Sequence, residues 1–457
     1  MTLSETIDAR SLIENEPIGR WQMFTFFIVT LVAGLDGLNT QIVGYVAMNI
    51  AKEWHISMAN MGTVFGLGMA GTVLGAFTLG TMGDMVGLKR MLIVITLLIG
   101  CATVATGFAT NWIQLMILRF LTGLGVGGAM PNLIAVAAQF APSRRRASMI
   151  TITACGFPLG ATLGGVLVAG LVSDYGWRSI FIIGGCLSLL LAPLIIVGLP
   201  ESIPLLLKRT NVDAQTKVRI ILRRMFPKTS VEGQIVWSGV ARSRTKLPLV
   251  DLFLQGPVLF FALSAAFFMS MLDLYLLSNW LPSLLQQAHS TAKEAVLATV
   301  GFNFGGIAGA VLLGRLMDCF GSIKSLAVGY LFGAVSILLL SANHFSFQAL
   351  ALAAFAAGLA MIGCQGGLNA LPALLYPDDI RSAATGTFVS IGRIGSIIGP
   401  LFAGFLLAVH WKPTHVLLTA AIPALCASAF LFAMMFVRRK SADTKPRNAS
   451  RLAATAL

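Results

Sequence analysis

Apolar runs almost free of charge, each long enough to cross a bilayer at roughly 20 residues, recur along the whole chain. Nothing constrains its fold more. In hydrocarbon every backbone N–H and C=O must be satisfied internally, which leaves helices or a closed barrel. The two-residue alternation of a barrel strand is absent, so the expected fold is an all-α polytopic bundle. Composition agrees. Of 457 residues, 56% are apolar and 11% are charged, and mean hydropathy is +0.84; a soluble domain carries about a quarter charged residues. Thirty-two Lys and Arg with eighteen Asp and Glu cannot cover a soluble globule of this mass, which excludes a soluble enzyme and a disordered chain.

Twelve spans are expected, at 22–47, 60–82, 91–109, 112–138, 148–172 and 178–199, then 256–281, 294–318, 323–342, 346–376, 382–408 and 414–437. The implied organisation is a cytoplasmic segment 1–21, a six-helix bundle 22–200, a cytoplasmic loop 201–255, a second bundle 256–437 and a cytoplasmic tail 438–457. The opening segment holds Glu5, Asp8, Glu14 and Glu16 and does not read as a cleavable signal peptide; the first span serves as the targeting signal.

Positive charge sets the orientation. With the N-terminus inside, external loops hold Lys52, Arg178, Lys293 and Lys412, two arginines (Arg119 and Arg393) lie within spans, and the other 26 of the 32 basic residues are cytoplasmic. Both termini are then expected inside. The net charge of +14 is a product of this topology, with contact to anionic lipid rather than nucleic acid. All five His fall near external loops, which disfavours a histidine relay at mid-membrane. The six Cys lie in or beside apolar runs with no CxxC pair and read as small core residues, not as disulfides or metal ligands.

The two halves also repeat. Gly80, Asp84 and Gly87 recur at one constant offset as Gly314, Asp318 and Gly321; Pro142, Arg146, Gly160 and Gly164 recur, one position further on, as Pro377, Arg381, Gly395 and Gly399. Two duplicated six-helix halves are a transporter architecture, able to rock about a site at the midplane.

Several motifs carry a family resemblance. GTMGDMVGLKR (80–90), RFLTGLGVGG (119–128) and GFPLGATLGG (156–165) resemble the signatures of the major facilitator superfamily, although Met85 and Leu88 stand where that family usually has a basic residue. More narrowly, DGLNTQIVGY (36–45), LPES (199–202) and GLNALPALLYPDDIRSAATG with GRIGSIIGP (367–400) resemble the aromatic acid:proton symporters, the group of 4-hydroxybenzoate and hydroxyphenylpropionate transporters. The second acid of that family's first-span motif is Asn39 here. The resemblance implies a fold of two pseudo-symmetric six-helix bundles in the bacterial inner membrane. It also implies proton-coupled uptake of a small aromatic carboxylate by alternating access.

Charges within spans are functional candidates by default. Asp36 lies about 21 Å from the cytoplasmic face and Arg119 about 10 Å below the external one, the same level in a core about 30 Å thick. An Asp36–Arg119 pair is geometrically open, as a proton-coupling device or as a static bridge. Arg393 lies about 16 Å in, near the midplane; its planar fork suits a substrate carboxylate, and a neighbouring helix's acid or carbonyls are the alternative. Asp273, about 25 Å up, is either a second proton site in place of the missing acid or a wetted residue near the membrane edge. Asn39, Gln41, Tyr45, Asn303, Gln365 and Asn369 are candidates for binding substrate polar groups or its ring, or for bonds between helices. Tyr275 and Trp280 offer ring faces or interfacial anchors. Asp84 with Arg146, and Asp318 with Arg381, are expected to latch the cytoplasmic ends.

No metal, nucleotide or haem motif is present, so the proton gradient is the expected energy source, with no cofactor, nucleic acid or obligatory protein partner. Another organic anion, or export by proton antiport, is the rival within transport. A substrate-sensing transceptor would want a folded cytoplasmic domain, and the central loop and tail are short for one. An enzyme is not expected, because no His, Ser–His or metal-ligand cluster lies at depth.

Overall fold

The computed structural model describes residues 6–207, 212–227, 233–237, 252–253, 256–288, 291–342, 346–376 and 380–444. Eleven helices in it are long and apolar enough to cross a membrane. One of them, Arg146–Gly198, has 53 residues and breaks at Gly176, where φ is 74° and ψ 167°. Its length of about 80 Å is more than twice a bilayer core, so it makes two crossings and the total is twelve, as expected. A left-handed backbone at the break is a conformation that glycine adopts without a Cβ clash.

The first unit holds α1 (Ala9–Asn15), α2 (Arg20–Trp54), α3 (Met58–Phe77) from Thr63 onward, α4 (Leu79–Val86), α5 (Leu88–Gly107), α6 (Trp112–Phe140) and α7 (Arg146–Gly198), then α8 (Ile203–Leu207) and α9 (Val212–Met225). The second unit holds α10 (Pro257–Gln287), α11 (Ala292–Phe320), α12 (Ser322–Leu340), α13 (Phe347–Leu375), α14 (Arg381–Ala408) and α15 (Pro413–Thr444). By compactness the division runs Met1–Ile56 with Thr63–Arg242, against Ser57–Gly62 with Ser243–Leu457. The span expected over 60–82 is two helices meeting at Thr78. The Thr78 and Thr81 hydroxyls donate to the carbonyls of Leu74 and Phe77 at 2.7 and 2.8 Å, a back-bonding that bends helices.

The internal repeat is visible as repeated contacts. A Cβ at Gly160 would strike the backbone of Gly34, and one at Gly164 would touch Leu38. In the second unit Gly395 and Gly399 meet Phe268 and Leu272, which stand to Gly34 and Leu38 at the offset of the repeat. Thus α7 packs on α2 as α14 packs on α10, backbone close to backbone. Likewise Gly87 and Gly321 both end a helix with positive φ, 113° and 88°. Gly160→Leu should therefore push α2 and α7 apart. A loss of roughly 1–3 kcal/mol or more is expected from overpacking, measured as a lower melting temperature in detergent, while Gly170→Leu, with open space around it, should cost little.

Described parts of the polar loop expected over 201–255 pack on the first unit. α9 buries Ala214, Val218, Leu222 and Met225 on one face, the mixed i+4 and i+3 spacing of an amphipathic helix. Its core is shared with Ile13, Phe26, Phe140 and Leu206. The chain also has a two-stranded parallel sheet that the sequence did not announce: β1 (Thr6–Asp8) pairs with β2 (Gln234–Val236). Three-residue strands are too short to show alternation. The cysteines are a correction: Cys101, Cys186 and Cys319 are exposed, Cys155 and Cys426 half-buried, and only Cys364 is buried. An apolar run supplies lipid-facing positions as readily as core ones.

Candidate functional site

Arg119 in α6 is 4% exposed and its guanidinium is held within the first unit. It donates to the Asn39 carbonyl at 3.1 Å and to Thr106 Oγ1 at 3.0 Å, and its charge sits 4.9 Å from the centre of the Phe181 ring. Asp36 is on α2, 2% exposed, and its Oδ2 has no partner. The pair is not formed. Ion pairs among the described residues include Arg10–Glu14, Arg146–Glu14 and Arg178–Glu53, and neither Asp36 nor Arg119 is in one of these. Arg119 meets α2 at Asn39, three residues or about 4.5 Å along the axis from Asp36. Both terminal guanidinium nitrogens are engaged, by Asn39 and Thr106 rather than by Asp36.

Asn39 stands where the resembled family has its second acid. Its Nδ2 donates to Ser188 Oγ at 2.7 Å, and its Oδ1 has no donor. Tyr45 donates to the Ala161 carbonyl at 2.9 Å, and Gln41 is buried. These contacts tie α2 to α7.

In the second unit, Asp273 lies at the middle of α10, with helix for 14 more residues to Gln287, and it is 0% exposed. Neither carboxyl oxygen has a hydrogen-bond partner. The wetted edge position is therefore not what the structure shows. One turn below it, Ser270 Oγ lies 2.6 Å from the Tyr330 hydroxyl and donates to Gln365 Oε1 at 2.5 Å. Gln365 Nε2 then donates to Asn369 Oδ1 at 3.0 Å. Ser270's single proton goes to Gln365, so Tyr330 must donate to Ser270, and the chain of donors runs one way from Tyr330 to Asn369. Sequence reasoning found Gln365 and Asn369 and missed Ser270 and Tyr330. A serine one turn from an intramembrane acid was the available signal.

Arg393 lies near the middle of α14 and is half-buried. It reaches the Tyr275 hydroxyl at 3.4 Å, a long hydrogen bond, and belongs to none of the described ion pairs. Asn303 donates back to the Thr299 carbonyl at 3.1 Å, and Trp280 Nε1 to the Pro400 carbonyl at 2.9 Å; the indole packs helices rather than offering a face.

The latch residues are differently disposed. Asp84 lies in α4, but its side chain is outside the described residues. Arg146 pairs with Glu14 at 3.6 Å. Asp318 and Arg381 are both exposed, at the end of α11 and the start of α14, and Pro377 is outside the described residues. Glu14 is the hub that the sequence reading did not single out. It accepts from Ser143 at 2.9 Å and from Arg10 Nε at 3.2 Å. The hydrogen bond from Ser143, then that from Arg10, holds its carboxyl below the usual 4.5. Such a group contributes stability above its unfolded value and loses it as pH falls through the lowered one. Proteolysis of the N-terminal segment should therefore be steady from neutral pH down to 4.5 and should rise only below it.

Among the described residues, no three His, Cys, Asp or Glu side chains gather in a group able to hold a metal. Twelve crossings, a helix-packing pattern repeated between two units, and isolated ionisable side chains at mid-helix define a membrane transporter rather than an enzyme. The chain matches the Major Facilitator Superfamily over residues 26–286 and 263–456, and it belongs to that family. It is 31% identical to the 4-hydroxybenzoate transporter PcaK of Acinetobacter baylyi over 96% of this chain and 97% of the relative. It is 32% identical to a gallate transporter of Pseudomonas putida over 93% and 95%, and 31% identical to the 3-(3-hydroxy-phenyl)propionate transporter of Escherichia coli over 92% and 95%. Among solved structures, the inward open xylose transporter XylE from E. coli aligns with a TM-score of 0.70 at 15% identity, covering 90% of this chain and 95% of that one. A bacterial homologue of the human lysosomal transporter Spinster aligns at 0.71 and 16%, covering 91% and 97%. These two establish the fold alone.

Proposed function

We propose that this chain imports a small aromatic carboxylate together with a proton across the bacterial inner membrane, with both termini in the cytoplasm. The observation that carries the reading is Arg393. A guanidinium at mid-helix, half-buried, with one long hydrogen bond and no acid among the described ion pairs, is short of an anion. A carboxylate supplies one in bidentate geometry. The names of the relatives, transporters of 4-hydroxybenzoate, gallate and hydroxyphenylpropionate, support an aromatic body on that carboxylate. Tyr275, already touching Arg393, is placed to contact it.

Asp36 is the proton carrier in this reading, with Asp273 second. Each is a buried carboxyl with an unpartnered oxygen. An isolated carboxylate is expensive to bury and a proton removes that cost, so each conformational change is linked to gain or loss of the proton. Arg119 holds α2 three residues beyond Asp36, through the Asn39 carbonyl. Gln365 and Asn369 present amides to the substrate's ring substituents, while Asn39, Gln41, Tyr45 and Asn303 hold the helices. No cofactor and no protein partner are needed. Labelled 4-hydroxybenzoate, benzoate and gallate offered to vesicles with an imposed pH gradient test this. Uptake of at least one above equilibrium is expected; sugar or amino-acid uptake with none of these acids carried would refute it.

A further inference from the structure

Within the first unit, at the end that carries Arg146 and Gly83, the neighbour of Asp84, lies a cavity of about 580 Å³. That volume falls within the range of small-molecule sites. Three separate stretches wall it: the N-terminal segment at Arg10, Ile13 and Glu14, the helix ends at Gly83, Leu88 and Gln139, and the central loop at Ser202, Leu205 and Trp237. On the positive-inside orientation this end faces the cytoplasm.

The polar wall is rich in donors and poor in acceptors. Among the described residues, two guanidiniums, Arg10 and Arg146, line it against one carboxylate, Glu14. That carboxylate is already shared by Arg10, Arg146 and Ser143. Gln139 spends its Oε1 on Ser202, at 3.1 Å, and its Nε2 has no acceptor. Arg146 Nε has none either. Buried donors without acceptors cost free energy, and an anion would remove two such costs at once. The remaining wall is apolar, from Ile13, Leu88, Leu205 and the Trp237 indole. A bare inorganic ion satisfies the donors and leaves these surfaces facing water; an anion with an apolar body satisfies both.

We infer that this cavity is a second ligand site, which takes a small organic carboxylate from the cytoplasm, with the carboxylate on Arg146 and Gln139 and the apolar body against Trp237. The same chemistry, an anionic group on an apolar body, is offered by the headgroup of an anionic lipid, and the test separates the two.

Full-length protein carrying Arg393→Ala, in nanodiscs of neutral lipid, is titrated with benzoate while tryptophan fluorescence is followed. A saturable change that Trp237→Phe removes is expected. Gln139→Leu should weaken it by about tenfold through the lost hydrogen bond to a charged group. Glu14→Gln, which removes the competing carboxylate, should tighten it by about threefold; a merely structural Glu14 would not move affinity in that direction. No change dependent on Trp237, or equal affinities in the Gln139→Leu and Glu14→Gln proteins, overturns the site. An equal response to inorganic phosphate overturns the organic class. Loss of the benzoate response in nanodiscs of anionic phosphatidylglycerol makes the lipid headgroup the occupant and overturns the cytoplasmic source.

Discussion

Arg393→Ala should abolish measurable binding of 4-hydroxybenzoate to the purified protein, and Arg393→Lys should weaken it by about 10- to 100-fold. The second figure follows from geometry. A lysine keeps the charge but replaces the planar two-donor fork with a point charge, and one charge-assisted hydrogen bond is worth about 1.5–3 kcal/mol, a factor of ten for each 1.4 kcal/mol. The helix should tolerate both changes, since Arg393 is half-buried and its side-chain partner in the structure is Tyr275 at 3.4 Å. Calorimetry on purified protein measures the affinities, and a melting curve confirms that the variants fold. Equal binding by wild type and Arg393→Ala would remove the anchor from the account. Tyr275→Phe separates the two roles: it takes away the hydroxyl and should reduce affinity by only a few-fold.

The second large effect concerns Asp36. Asp36→Asn is nearly isosteric and cannot titrate, so accumulation driven by a pH gradient should vanish. Exchange of internal for external substrate requires no net proton movement and should survive. The amide also suits the site sterically, because Asp36 is buried and in no ion pair among the described residues. Asp273→Asn should be milder, lowering the accumulation ratio without abolishing it. Uphill accumulation by Asp36→Asn together with its loss in Asp273→Asn would transfer the role of carrier to Asp273. The Tyr330–Ser270–Gln365–Asn369 chain beside Asp273 would then be the path by which its charge reaches the substrate site.

Much of the fold was legible in the sequence because hydropathy and repetition act over long windows. Twenty apolar residues have few alternatives to a spanning helix, and the break between the fifth and sixth spans coincides with Gly176. The paired glycines at 160 and 395 were readable as a repeat, and they turn out to do the same work against Gly34 and Phe268. What escaped depends on side-chain direction or on contacts between distant short segments. Axial rise placed Asp36 and Arg119 at one level, but only coordinates show Arg119 reaching Asn39 instead. The strand pair of Thr6–Asp8 with Gln234–Val236 joins segments far apart in the chain, and each has too few residues for a pattern. The face of α9 was readable: Ala214, Val218, Leu222 and Met225 follow helical spacing, hidden by the overall polarity of the loop. Glu14, the partner of Arg10, Ser143 and Arg146, was open to a simpler argument, since an acid placed by topology beside Arg144 to Arg146 has a strong reason to meet them.

The central claim is that substrate and proton move inward together, and the external pH of a lightly buffered suspension reads it directly. Proteoliposomes enriched in outside-facing protein receive a pulse of 4-hydroxybenzoate at pH 7.5 with no pre-existing gradient. Symport predicts a transient alkalinisation of the medium, larger than in protein-free vesicles, abolished by a protonophore and by Arg393→Ala. Acidification of the medium on the same pulse would make the protein an antiporter, and uptake of the label with no pH change would deny proton coupling.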